Sequence, residues 1–235
     1  MLTAAIQELF TSYFDYHMQD MMTAIPAVVV STREISQGVV AVKPSINELL
    51  KDSRTTEWPE IVDVPILFPS SSSSALTFPI QVGDSVLVVF SMRGLDEFKN
   101  SNGGLSTPVN FRNHNVMDAV AIPCIWPKAQ SVNKQSNRNL PHNVNDFVMA
   151  HNLGKATEAE IRITQAGHIK ITSPTAIYID APTTFWTSNS YYEGDFTITG
   201  EFYGTGTFTY NDLEYNTHIH TGVQSGSNTS GTPTN

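Results

Sequence analysis

Apolar residues recur at helical spacing near the start of the chain: Leu2, Ile6, Leu9, Phe10, Tyr13, Phe14, Met18, Met21 and Met22. This spacing predicts an amphipathic helix within residues 1–24 that ends before Ile25-Pro26. From Ala27 to Pro127 the period changes. Val28–Val30, Val39–Val42, Val62–Leu67, Val86–Phe90 and Ala119–Ile122 are short β-branched runs separated by turn-rich segments. Five such runs within about a hundred residues predict a small closed barrel of the OB kind over 25–127. Pro79–Asp84 predicts the turn feeding the strongest strand, and Ser70–Ser74 a solvated loop.

Residues 128–158 are polar and Asn-rich and predict a connector with little core of its own. From Glu160 the pattern becomes regular. Ile161 and Ile163 recur as Ile169 and Ile171 and again as Ile177 and Ile179, a step of eight residues, with Gln165-Ala166-Gly167 and Ser173-Pro174-Thr175 in the turns. Phe196, Phe202 and Phe208 then recur among glycines at a spacing of six. The region 159–213 therefore reads as short strands with one apolar face, and 214–235 as a polar terminal segment.

A thin ribbon of short strands leaves its isoleucine face wet and its edges unpaired. Three copies winding around a common axis solve both problems, because isoleucines at matching levels fill the axis and each strand gains a neighbour. The expectation is an all-β protein: an N-terminal helix, an OB-fold barrel, and a trimeric intertwined β-helix needle. A single-chain solenoid is the alternative architecture, though it ordinarily needs more and longer repeats.

Composition narrows the function. The chain has 235 residues, 40% apolar, and a net charge of −9. Lys170 is the last basic residue, whereas Asp180, Glu193, Asp195, Glu201, Asp212 and Glu214 follow it. Such an acidic chain is not expected to bind nucleic acid, despite the OB-type barrel. No apolar run is long enough to predict a membrane-spanning helix, and the start has no basic segment typical of a secretory signal. Cys124 is the single cysteine and reads as a small buried hydrophobe.

The sharpest chemical signal is Thr217-His218-Ile219-His220-Thr221. In a strand, His218 and His220 share a face. Two imidazoles make a poor metal site, but three chains supply six. That set favours a first-row ion accepting octahedral nitrogen, with iron first and nickel or cobalt as alternatives, rather than tetrahedral zinc. Thr217, Thr221 or a backbone carbonyl would orient the rings.

Three segments carry a family resemblance. Val64-Pro65-Ile66-Leu67-Phe68-Pro69 and Leu76-Thr77-Phe78-Pro79-Ile80-Gln81-Val82-Gly83-Asp84-Ser85-Val86-Leu87-Val88-Val89-Phe90-Ser91 resemble the N-terminal OB domain of the central spike of contractile-tailed phages. His218-Ile219-His220-Thr221-Gly222-Val223-Gln224-Ser225-Gly226 resembles that family's metal-binding apex. The resemblance implies a homotrimer at the tip of the virion's tail baseplate. One iron ion per trimer would be held by His218 and His220 of each chain, and the OB collar would be seated on the tail hub or tube protein. It further implies a structural role, puncturing the host outer membrane when the sheath contracts, by a protein made in the host cytoplasm. Two other classes are weighed. An envelope-degrading hydrolase would need a catalytic constellation, and the sequence has no GxSxG, HExxH or CxxC; only Glu193, Asp195 and Glu201 could pair as carboxylates. A receptor-binding adhesin or tail fibre would bind through Tyr191, Tyr192 and the terminal segment.

Overall fold

In the strands Ala24–Ser31, Val39–Pro44, Ser85–Phe90 and Ala119–Pro123 of the N-terminal sheet the buried residues fall at alternate positions. A computed structural model describes residues 2–19, 21–50, 52–123, 125–201, 203–205, 209–210 and 213–214. Helix α1 (Leu2–Gln19) precedes β1 (Ala24–Ser31) and β2 (Val39–Pro44). Two short strands follow, β3 (Glu48–Leu49) and β4 (Thr55–Thr56), then β5 (Ile61–Pro65), β6 (Ser85–Phe90), the single-turn α2 (Asp96–Lys99) and β7 (Ala119–Pro123). Ala27 and Val29 of β1, Val40 and Val42 of β2, Val86, Val88 and Phe90 of β6, and Ala119 and Ala121 of β7 form the core. This alternation is the pleat expressed as burial.

The five long strands form one antiparallel sheet in the order β5-β2-β1-β6-β7. The sheet curls until its edges meet, with Ile66 bridging Ala121 in parallel and the Leu67 N–H donating to the Ala121 carbonyl at 2.8 Å. The result is the OB-like half-barrel expected from the β-branched runs. The predicted turn before β6 is present, with Gly83 at φ +97° and its N–H donating to the Val29 carbonyl at 2.9 Å.

The third run, strand β5, differs from expectation in register. Strict alternation over Val62–Leu67 would send Val62 and Val64 to the same face. Instead Ile61 and Val64 are both buried and Val62 is exposed. The reason is a bulge: Val40 pairs with Val64 but Val42 pairs with Ile61, and Asp63 adopts φ +55°. Lys99 of α2 holds the bulge through the Asp63 carbonyl and carboxylate, each at 2.9 Å. The loop from 91 to 118 is pinned by Asp118, which is fully buried. Asp118 accepts from the Leu95 N–H at 2.8 Å and from Arg112 at 2.8 and 3.1 Å.

Residues 128–158 depart from a bare connector. They contain β8 (Phe147–His151), which pairs with β9 (Ala159–Ile163), and β9 pairs in turn with β10 (Ile169–Thr172). All three strands fall in the first of two compact units, and the second begins at Tyr178. Described by itself, the second unit has no strand from 178 to 201. Among its described residues, β11 (Thr209–Tyr210) and β12 (Leu213–Glu214) pair with each other. The third repeat, Ile177 and Ile179, thus lacks a strand in the single chain. Among the described residues no helix is long and apolar enough to cross a membrane. Cys124 lies outside the described residues.

The bulged register sets a test. Ile61→Ala should destabilise the barrel by about 3 kcal/mol in a denaturant titration, since it empties a core position. Val62→Ala should change stability by less than about 0.5 kcal/mol. The reverse ranking would show that the bulge is absent.

Candidate functional site

The β8–β10 sheet has two faces of opposite character. Cross-strand pairing sets Phe147 opposite Ile163 and Met149 opposite Ile161. It also sets Ile163 opposite Ile169 and Ile161 opposite Ile171. Paired residues share a face, so these six large apolar side chains form one continuous surface. Their exposure in the single chain runs from 40% at Ile161 to 71% at Ile169. The β9–β10 turn that fixes this register is closed by Gly167 at φ +84°, whose N–H donates to the Thr164 carbonyl at 2.8 Å.

The opposite face carries charge under cover. Arg138 donates to Glu158 at 2.5 Å and to Glu160 at 3.4 Å, and Glu160 also pairs with Arg162. Arg138 further lies 3.3 Å from Nδ1 of His142. Arg138, His142, Glu158 and Glu160 are all buried. Glu158 gains the N–H groups of Asn139 at 2.6 Å and Gly154 at 2.9 Å. A Cβ on Gly154 would stand 2.7 Å from the Asn137 carbonyl, so only glycine lets the chain come this close. Burial pushes the Glu158 carboxyl up. The Arg138 hydrogen bond, the Gly154 and Asn139 N–H groups and the Arg138 charge outweigh it and hold the carboxyl below its ordinary value. The sequence analysis did not single out this charged cluster, and His142, in a loop, is buried with it. The signal was present in the alternation Glu158, Glu160, Arg162 against Ile161, Ile163: charges on one parity, isoleucines on the other.

Beyond the sheet, in the second unit, large side chains stay in solvent. Tyr178, Phe185, Trp186, Tyr191 and Tyr203 are all exposed, and Tyr192 and Phe196 lie against each other with ring centroids 4.9 Å apart. Tyr203 donates to Glu201, which raises the Tyr203 hydroxyl pKa. Glu193, Asp195 and Glu201 are exposed. His218 and His220 lie outside the described residues. Among the described residues no group of three or more His, Cys, Asp or Glu side chains is arranged to hold a metal.

Two predictions follow from the charged face. Arg138→Met should cost about 3 kcal/mol by thermal or chemical unfolding, because it strands Glu158 and Glu160 as buried charges. Because the folded pKa of Glu158 is depressed, its contribution is complete above the ordinary carboxyl value of 4.5 and is lost as pH falls below that value toward the folded one. Unfolding curves across that acid window should therefore be steeper in pH for the natural chain than for Glu158→Gln; equal slopes would remove Glu158 from the account.

Comparison with known proteins bears on both ends of the chain. Residues 25–124 match the family model described as the phage protein Gp138 N-terminal domain, and residues 215–234 match the GpV Apex motif. No curated protein matches the chain. Both families are structural phage proteins. They imply a place in the virion tail, assembly into the baseplate and oligomerisation. With the barrel model first and the apex model last, the two family matches are those of a phage baseplate central spike protein.

Proposed function

We propose that three copies of this chain form the membrane-piercing spike of a contractile-tail baseplate. The carrying observation is the apolar face of Phe147, Met149, Ile161, Ile163, Ile169 and Ile171, which one chain leaves in water. Burying a large aliphatic side chain contributes roughly 1.5–3 kcal/mol, so closure of this face around a threefold axis would make a stiff, stable needle. The exposed aromatic residues after Tyr178 extend the same requirement for partners. In this reading residues 159–213 wind into an intertwined β-helix, and the OB-like collar seats on the tail hub or tube protein. Sheath contraction supplies the work that drives the needle through the host outer membrane. The spike itself contributes stiffness and a point, with no catalysis.

The apex motif is a metal-binding site in such spikes. The donors in this chain suit that role. Paired imidazoles two residues apart give six nitrogens from three chains, which fits one octahedral iron ion at His218 and His220. Metal held by the folded trimer alone would stabilise it by linkage.

Elemental analysis of the purified protein should find one iron per three chains, and His218→Ala combined with His220→Ala should abolish it; metal retained by the double variant would contradict the site. Particles triggered to contract against outer-membrane vesicles should release an entrapped dye, and the free protein should not. Leakage caused by free protein, or release of reducing sugar from envelopes, would point to a hydrolase instead. Specific binding of free protein to whole cells would point to an adhesin.

A further inference from the structure

The needle accounts for the isoleucine face but not for α1. Ile6, Leu9, Phe10, Phe14 and Met18 are between 46% and 70% exposed. Helices in proteins draw most of their stability from packing an amphipathic face, and a contiguous exposed apolar stripe marks an interface.

The seven-residue register identifies what would cover it. With Phe10 at position a, Ile6 and Tyr13 fall at d, Leu9 at g and Phe14 at e, while Thr3 and His17 take the flanking a positions and Met18 falls at b. Apolar residues at g, a, d and e make a stripe wider than the a/d seam of a two-helix coil, and one suited to a bundle. Glu8 and Asp15, seven residues apart, share position f, the position farthest from that seam. No Lys or Arg occurs from Leu2 to Gln19. The acids therefore do not flank the stripe, as they would to meet a basic-rimmed groove on another protein. The helix also lacks the basic flank that draws an amphipathic helix to an anionic membrane surface. Identical helices side by side in one direction satisfy the pattern, since their apolar stripes meet while their like charges point outward and apart. We propose that α1 packs with the α1 helices of its sister copies as a parallel three-helix bundle, a second trimer contact at the other end of the chain from the apex. This rests on the trimeric reading above, which supplies helices in the required number and direction.

The test uses the full chain with Cys124→Ser, so that introduced thiols are the only ones. Phe10→Cys and Glu8→Cys versions are oxidised mildly and compared on non-reducing gels, after the mass of each sample is measured. In trimeric samples, Phe10→Cys should give disulfide-linked dimers and Glu8→Cys should not. Amide hydrogen exchange on the unmodified trimer should show residues 6–18 protected by at least about tenfold over an open helix. Trimers that cross-link at neither or at both positions, or whose helix amides exchange freely, would overturn the bundle while leaving the needle intact. Protection gained only on adding lipid vesicles or another tail protein would overturn it in favour of that occupant. A monomeric sample would defeat the trimeric reading and the bundle together.

Discussion

The structure turns on the parity of one small sheet. Across β8, β9 and β10 Phe147, Met149, Ile161, Ile163, Ile169 and Ile171 share one open face, and on the other face of β9 Glu160 is buried in an ion network with Arg138, Glu158 and Arg162. Buried charges resist sliding, because a one-residue shift of β9 would turn Glu160 and Arg162 away from Arg138 and leave Arg138 and Glu158 without those partners. The charged side therefore locks the register, and the locked register presents six large apolar side chains outward. Among the described residues of one chain, nothing covers them fully. In the proposed trimer the strand pairing would thus call for sister copies, before any consideration of the apex.

The OB-like barrel has the opposite character. Its core is complete in one chain, closed by the β5–β7 contact and pinned by Asp118 and by the Lys99 clasp on the Asp63 bulge. In one chain the barrel is thus self-sufficient, whereas the β8–β10 sheet leaves its apolar face open.

Much of this was legible in the sequence. The five barrel strands are β-branched runs bounded by turn residues, so length and composition alone located them. The bulge at Asp63 was not legible, because alternation cannot reveal an inserted residue held by a lysine far along the chain. Residues 128–158 read as a connector because their many asparagines hid β8 and Arg138, whose partners lie about twenty residues on. The isoleucine repeat correctly marked β9 and β10. Ile177 and Ile179, read from the same repeat as a further short strand, have no strand in the single chain. His218 and His220 were picked out by spacing, and the apex match at 215–234 covers them, while their geometry lies outside the described residues.

The most direct test of the central claim is the native mass of the purified protein at micromolar concentration. The account predicts a single species of three chains, each of 25.9 kDa, with no free monomer. A stable monomer at that concentration would contradict it, because the isoleucine face would then be one that water covers.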